Sequence, residues 1–90
     1  MPTIRIPAPL RKLTGNQEEI PVSGGRLDSV LEQLNSAYPG LGERILDEKG
    51  EIRRFVNIFI NDEDVRFLQE RKTTVAESDV ISIVPAIAGG

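Results

Sequence analysis

Asp62, Glu63 and Asp64 form the densest acidic run in the chain, and such a run is the first place to seek a metal site or a general acid. A calcium-binding loop opening at Asp62 would need acidic ligands at alternate positions, glycine at the sixth and glutamate at the twelfth. The sixth residue is Phe67, so the pattern fails. The run reads instead as a solvated hairpin turn whose charges discourage edge-to-edge pairing. Gly40-Leu41-Gly42 opens the spacing of a dinucleotide-binding loop, but Ile45 stands where the third glycine belongs. The segment also follows a helical pattern, where such a loop follows a strand, so it reads as a helix stop. Ser23-Gly24-Gly25 has no Gly-Lys-Ser/Thr behind it and reads as a strand-to-helix turn rather than a phosphate cradle.

Composition closes off most other side-chain chemistry. The 90 residues include no cysteine and no histidine. That removes disulfides, thiolate nucleophiles, cysteine-based metal sites, the Ser-His-Asp triad and imidazole acid–base work. With 11 basic and 14 acidic residues the net charge is −3, and no basic stripe offers phosphate contacts, so nucleic-acid binding is not expected. Apolar runs reach about four or five residues against the ~20 of a membrane helix. Met1-Pro2-Thr3-Ile4-Arg5 lacks the pattern of a signal peptide. No membrane association and a cytoplasmic location are expected.

What composition leaves open is the main chain. After Pro85 the sequence reads Ala86-Ile87-Ala88-Gly89-Gly90. The two glycines have no side chains and can adopt positive φ, so a carboxylate at the end of such a thread can enter a slot closed to bulkier chains. Alone, Gly-Gly reads more readily as a frayed end. The elements ahead of it therefore matter.

Thr3 to Ile6 alternates as a strand with Ile4 and Ile6 inward, and Pro7 and Pro9 end it. Leu10 to Asn16 reads as a connection. Glu18 to Val22 reads as a second strand, which Pro21 marks as an edge. Leu27, Val30, Leu31, Leu34 and Tyr38 share one face of a helix, and Leu41 to Leu46 has room for another helical turn. Arg54 to Ile60 is the clearest strand, with Val56, Ile58 and Ile60 on one face and Phe55, Asn57 and Phe59 on the other. If the helix covers the first set, the two rings meet solvent or a partner; a slip of one residue inverts the faces. After the acidic turn, Val65 to Phe67 is expected to begin a return strand, and Leu68 to Asp79 to be a polar connection. Val80 to Val84, apolar nearly throughout, is expected to be the central strand, stopped by Pro85.

A single helix between two hairpins must cover one face of a mixed sheet. The expected fold is α+β, a β-grasp of about five strands with one main helix. Residues 1–85 would form the domain and 86–90 a flexible tail.

On this strand order, this length and the ending Pro85-Ala86-Ile87-Ala88-Gly89-Gly90, the whole chain resembles the ubiquitin-like sulfur carriers of the ThiS and MoaD type. Within them, the stretch from Arg54 to Phe67 is most similar to the branch serving cysteine biosynthesis. The resemblance implies a carrier that is not itself an enzyme. An E1-like adenylyltransferase and sulfurtransferase would convert the Gly90 carboxylate, using ATP, to an acyl-adenylate and then to a thiocarboxylate. The sulfur would go to an aminoacrylate made from phosphoserine on a pyridoxal-phosphate enzyme of the cysteine-synthase type. A metalloprotease would then release the cysteine built on Gly90. ATP, pyridoxal phosphate and metal would belong to these partners, with no cofactor held by the carrier. Gly89, Ala88 and Ile87 would thread the tail, Ala86 would join it to the sheet, and Phe55 and Phe59 would dock a partner. Two other roles for the same tail are the small subunit of molybdopterin synthase, seated in the large subunit, and a protein modifier conjugated through Gly90. The free chain is expected to be a monomer.

Overall fold

The computed structural model describes residues 1–85. β1 (Thr3–Arg5) and β2 (Glu19–Pro21) form an antiparallel hairpin in which Ile4 faces Ile20. β3 (Gly25–Arg26) leads into α1 (Leu27–Ala37), and α2 (Pro39–Ile45) follows after one residue. β4 (Val56–Ile60) and β5 (Glu63–Asp64) turn through Asn61 and Asp62. β6 (Thr74–Val75) pairs with β3, and β7 (Val80–Pro85) completes the main sheet. The strand order there is β2-β1-β7-β4-β5. β7 is thus central, parallel to β1 and antiparallel to β4.

The helix forms because its apolar stripe has one place to go. Leu27, Val30, Leu31 and Leu34 are buried against the sheet face carrying Ile4, Ile20, Ile58, Ile81 and Ile83. Pro21 lies on the edge strand, where its missing N–H costs no ladder bond. The five-stranded mixed sheet, the covering helix and the central last strand are as the sequence predicts.

Several local expectations need correction. Residues 8–14 are a 3-10 helix that buries Leu10 and Thr14, with the Thr14 hydroxyl bonding the Arg11 and Gln17 carbonyls. The return strand is Glu63–Asp64, not Val65–Phe67. The latter is a 3-10 turn capped by Asp64, whose carboxylate accepts the Arg66 N–H at 2.9 Å. The 68–79 stretch holds a 3-10 turn and β6, with Val75 in the core. Gly40-Leu41-Gly42 is not simply a stop but the first turns of α2. Gly42 is buried where the two helices cross, and a Cβ there would fall 2.8 Å from Asn35 Cβ. Only glycine allows that approach.

Candidate functional site

β7 fixes the point from which residues 86–90 depart. Its last residue, Pro85, lies opposite Val56 at the start of β4, and Val84 lies opposite Asn57. The inward side chains Ile81 and Ile83 are 0% and 2% exposed, so the strand ahead of the tail is anchored from below. Gly90, Gly89, Ala88, Ile87 and Ala86, the residues on which the predicted chemistry depends, lie outside the described residues.

The helix covers Val56, Ile58 and Ile60, so Asn57 and Phe59 fall on the open face as alternation predicts. Phe59 is half-buried between Ser82 on β7 and Asp64 on β5. Phe55 does not share that strand. The Val56 N–H bonds the Arg53 carbonyl at 3.0 Å, closing a turn through Arg54 and Phe55, and β4 begins one residue later. Phe55 is nonetheless 64% exposed beside the tail's root. The structure therefore separates the two rings that the sequence places on one strand face.

The sequence reading missed other surface features. Val84 is exposed on the open face, and Phe67 is 87% exposed beyond the β5 edge, the most exposed aromatic among the described residues. A groove of about 460 Å³ also opens beside the start of β4, with Arg53, Arg54, Arg66 and Arg71 at its rim. One signal was available: five of the 11 basic residues lie between Arg53 and Lys72. Arg66 has a structural duty as well. β5 pairs only with Phe59 and Ile60, leaving the outer edge of β4 bare from Val56 to Ile58. The Arg66 guanidinium donates at 3.3 Å to the Arg54 and Val56 carbonyls and so blunts that edge.

The loop leading to this groove is held by Asp47. Its carboxylate accepts N–H bonds from Glu51 at 3.0 Å and Lys49 at 2.9 Å, beside an isolated bridge between Leu46 and Ile52. The Glu51 N–H, joined by that of Lys49 and by the charges of Arg53 and Lys49, outweighs burial and lowers the Asp47 pKa below the ordinary 3.8. A lowered folded pKa means stabilisation that is present above the ordinary value and lost as pH falls through the folded one. Asp47→Ala is therefore expected to lower the thermal midpoint at neutral pH, by a gap that closes well below pH of about 4. Melting curves of both chains across that range are the check, and a pH-independent gap would refute the linkage.

Comparison with known proteins agrees with this geometry. Residues 4–90 match the model of the ThiS family. The sulfur carrier protein CysO of Mycobacterium tuberculosis is 44% identical over 90 residues, 98% of this chain and 97% of that protein. A chain in the crystal structure of the Amycolatopsis orientalis BexX/CysO complex superposes with a TM-score of 0.92 at 33% identity, each chain covered in full at 100%. The small archaeal modifier protein 1 of Methanosarcina acetivorans gives a TM-score of 0.85 at 35% identity, over 99% of this chain and 95% of that one.

Proposed function

The chain belongs to the ThiS family, and from that membership we propose that it is a sulfur carrier of cysteine biosynthesis, loaded at the Gly90 carboxylate. The observation that carries the reading is the place of β7. The strand that runs into the tail is the central one, bonded on both sides and anchored by Ile81 and Ile83. A carrier needs a rigid body that partners can grip ahead of the end that enters their active sites.

The chemistry follows from what a carboxylate lacks. Its oxide is too basic to leave, so the Gly90 oxygen first attacks the α-phosphorus of ATP on an E1-like enzyme. Pyrophosphate departs and an acyl-adenylate forms. A sulfide-level nucleophile then attacks the acyl carbon, AMP leaves, and the C-terminus becomes a thiocarboxylate. The carrier contributes no acid, base or nucleophilic side chain to these steps and is not an enzyme; its part is to present one carbonyl carbon in an unhindered thread. Gly89 and Ala88 keep the stretch next to Gly90 free of bulk, and Ile87 precedes them in the threading segment. The sulfur acceptor is the aminoacrylate held by the cysteine-forming enzyme. Phe55, exposed at the tail's root, and Phe59, on the open sheet face, contribute apolar contact to docking.

A second reading is favoured by the likeness to the Methanosarcina modifier protein. In it the activated Gly90 is transferred to a lysine of a target. Intact-mass measurement on the chain purified from its host distinguishes the readings. Exchange of one oxygen for sulfur is the expected result, and a gain of one cysteine residue marks the cysteine branch. High-mass conjugates without either product would favour the modifier. An unchanged mass after incubation with the activating enzyme, ATP and sulfide would remove both readings. In the same assay Phe55→Ser is expected to slow sulfur loading several-fold at limiting enzyme. A Phe55→Ser rate equal to the parent's would take Phe55 out of the docking surface.

A further inference from the structure

The groove at the start of β4 differs in character from the rest of this acidic molecule. Half-buried Ile52 lines it above a floor of buried Val56, Ile58 and Val65, while four arginines and two glutamates, Glu51 and Glu70, stand around it. Four positive and two negative charges leave +2 around the groove, against −3 for the whole chain. Among the described residues the ion pairs are Met1–Glu77, Arg11–Glu18 and Arg26–Asp28, and none uses these arginines. Three of them are instead fixed by main-chain carbonyls. Arg53 donates to Glu43 at 2.8 Å, Arg71 to Gly50 at 2.9 Å, and Arg66 to Arg54 and Val56. Arg54 is exposed and makes no side-chain bond among the described residues. Guanidiniums so positioned, each with N–H groups to spare, are prepared to receive carboxylates.

The groove also has a telling position. Val56 belongs both to its floor and to the pair with Pro85 that marks the tail's root. An enzyme that draws in the tail must cover this region. The tail itself, Ala-Ile-Ala-Gly-Gly, offers one large apolar side chain, Ile87, and no charged or polar one, so charge-based selection of this carrier rests on the folded surface beside it. We propose that the arginine groove is the docking site for an acidic segment of the enzyme that activates the tail, with the apolar floor taking a hydrophobic side chain next to the carboxylates. The inference rests on the sulfur-carrier reading. It adds an electrostatic address, set by Arg54 and Arg71, to the chemistry at Gly90.

The test is adenylation of the full-length chain by the E1-like enzyme of the same host, followed as ATP–pyrophosphate exchange. Arg54→Glu is expected to raise KM for the carrier about 10-fold with kcat at saturation unchanged, since docking is weakened and the tail is not. Arg54→Lys should stay within a few-fold of the parent, and added salt should narrow the gap between parent and Arg54→Glu. Arg71→Gln tests the far side of the rim, with circular dichroism and melting confirming that each variant folds. Parent-like KM values for both Arg54→Glu and Arg71→Gln, in a chain that is adenylated normally, overturn the groove and leave the carrier reading intact. An unmodified chain that the enzyme does not adenylate overturns both. If light scattering instead finds a dimer of the parent that Arg54→Glu dissolves while KM stays put, the groove belongs to a second copy and the inference fails.

Discussion

Gly90→Val is expected to abolish thiocarboxylate formation, by on the order of 100-fold or more, while the domain melts as the parent does. In the proposed reaction the reacting group is the carboxylate of residue 90, and activation depends on bringing its oxygen in line with a phosphorus atom. A valine there places a branched side chain on the α-carbon beside the reacting group, in a slot that a Gly-Gly thread leaves free of side-chain volume. Displacement of about 1 Å is enough to remove two orders of magnitude from such a reaction. The core, by contrast, is assembled from residues between Ile4 and Ile83 and has no stake in position 90. Exchange of pyrophosphate into ATP measures the first step, and intact mass the second. Gly89→Ala should be milder because one methyl sits a residue away from the bond being made. A Gly90→Val chain that gains sulfur at the parent's rate would sink the assignment of Gly90.

How far the sequence foretells this arrangement depends on whether a segment has a period. β4 alternates over five residues and α1 repeats its apolar stripe over three turns, so both are legible with their buried faces. A strand read from Arg54 starts two residues ahead of β4 and misplaces Phe55, because an i to i+3 turn bond is not a pattern in residue type. The 3-10 segments and the two-residue strands β3 and β6 are too short for any period, and what orders them is contact with distant chain. Val75 is the example: it is buried, yet its neighbours Thr74 and Ala76 give it no alternating context to be read from. The candidate site divides in the same way. A thread ending in two glycines is visible in one dimension. The arginine groove shows there only as a concentration of basic residues from Arg53 to Lys72, because Arg53 and Arg54 come from the turn before β4 while Arg66 and Arg71 come from the far side of β5, and only the fold brings them round one opening.

Ile81→Ala should have the largest effect on stability, and its value lies in separating the body of the carrier from its end. Ile81 is 0% exposed and sits on β7 across from Ile4 on one side and Ile60 on the other. Truncation removes transfer free energy and leaves a cavity between three strands, a loss of about 2–5 kcal/mol. Against the ~5–15 kcal/mol that holds a typical domain together, this is a large fraction. Val84→Ala is the matched comparison, in the same strand but 45% exposed on the opposite face, and should stay within about 1 kcal/mol. Urea unfolding of the two chains measures the difference, and overlapping transitions would mean that β7 is not the anchor described. Function should divide differently from Gly90→Val. In the cold, where the folded population still dominates, Ile81→Ala keeps an unaltered Gly90 and should load sulfur at nearly the parent's rate, the loss appearing only as temperature approaches its lowered midpoint. A sulfur-loading defect that tracks unfolding for Ile81→Ala, and is independent of it for Gly90→Val, would assign placement to the strand and chemistry to the terminal carboxylate.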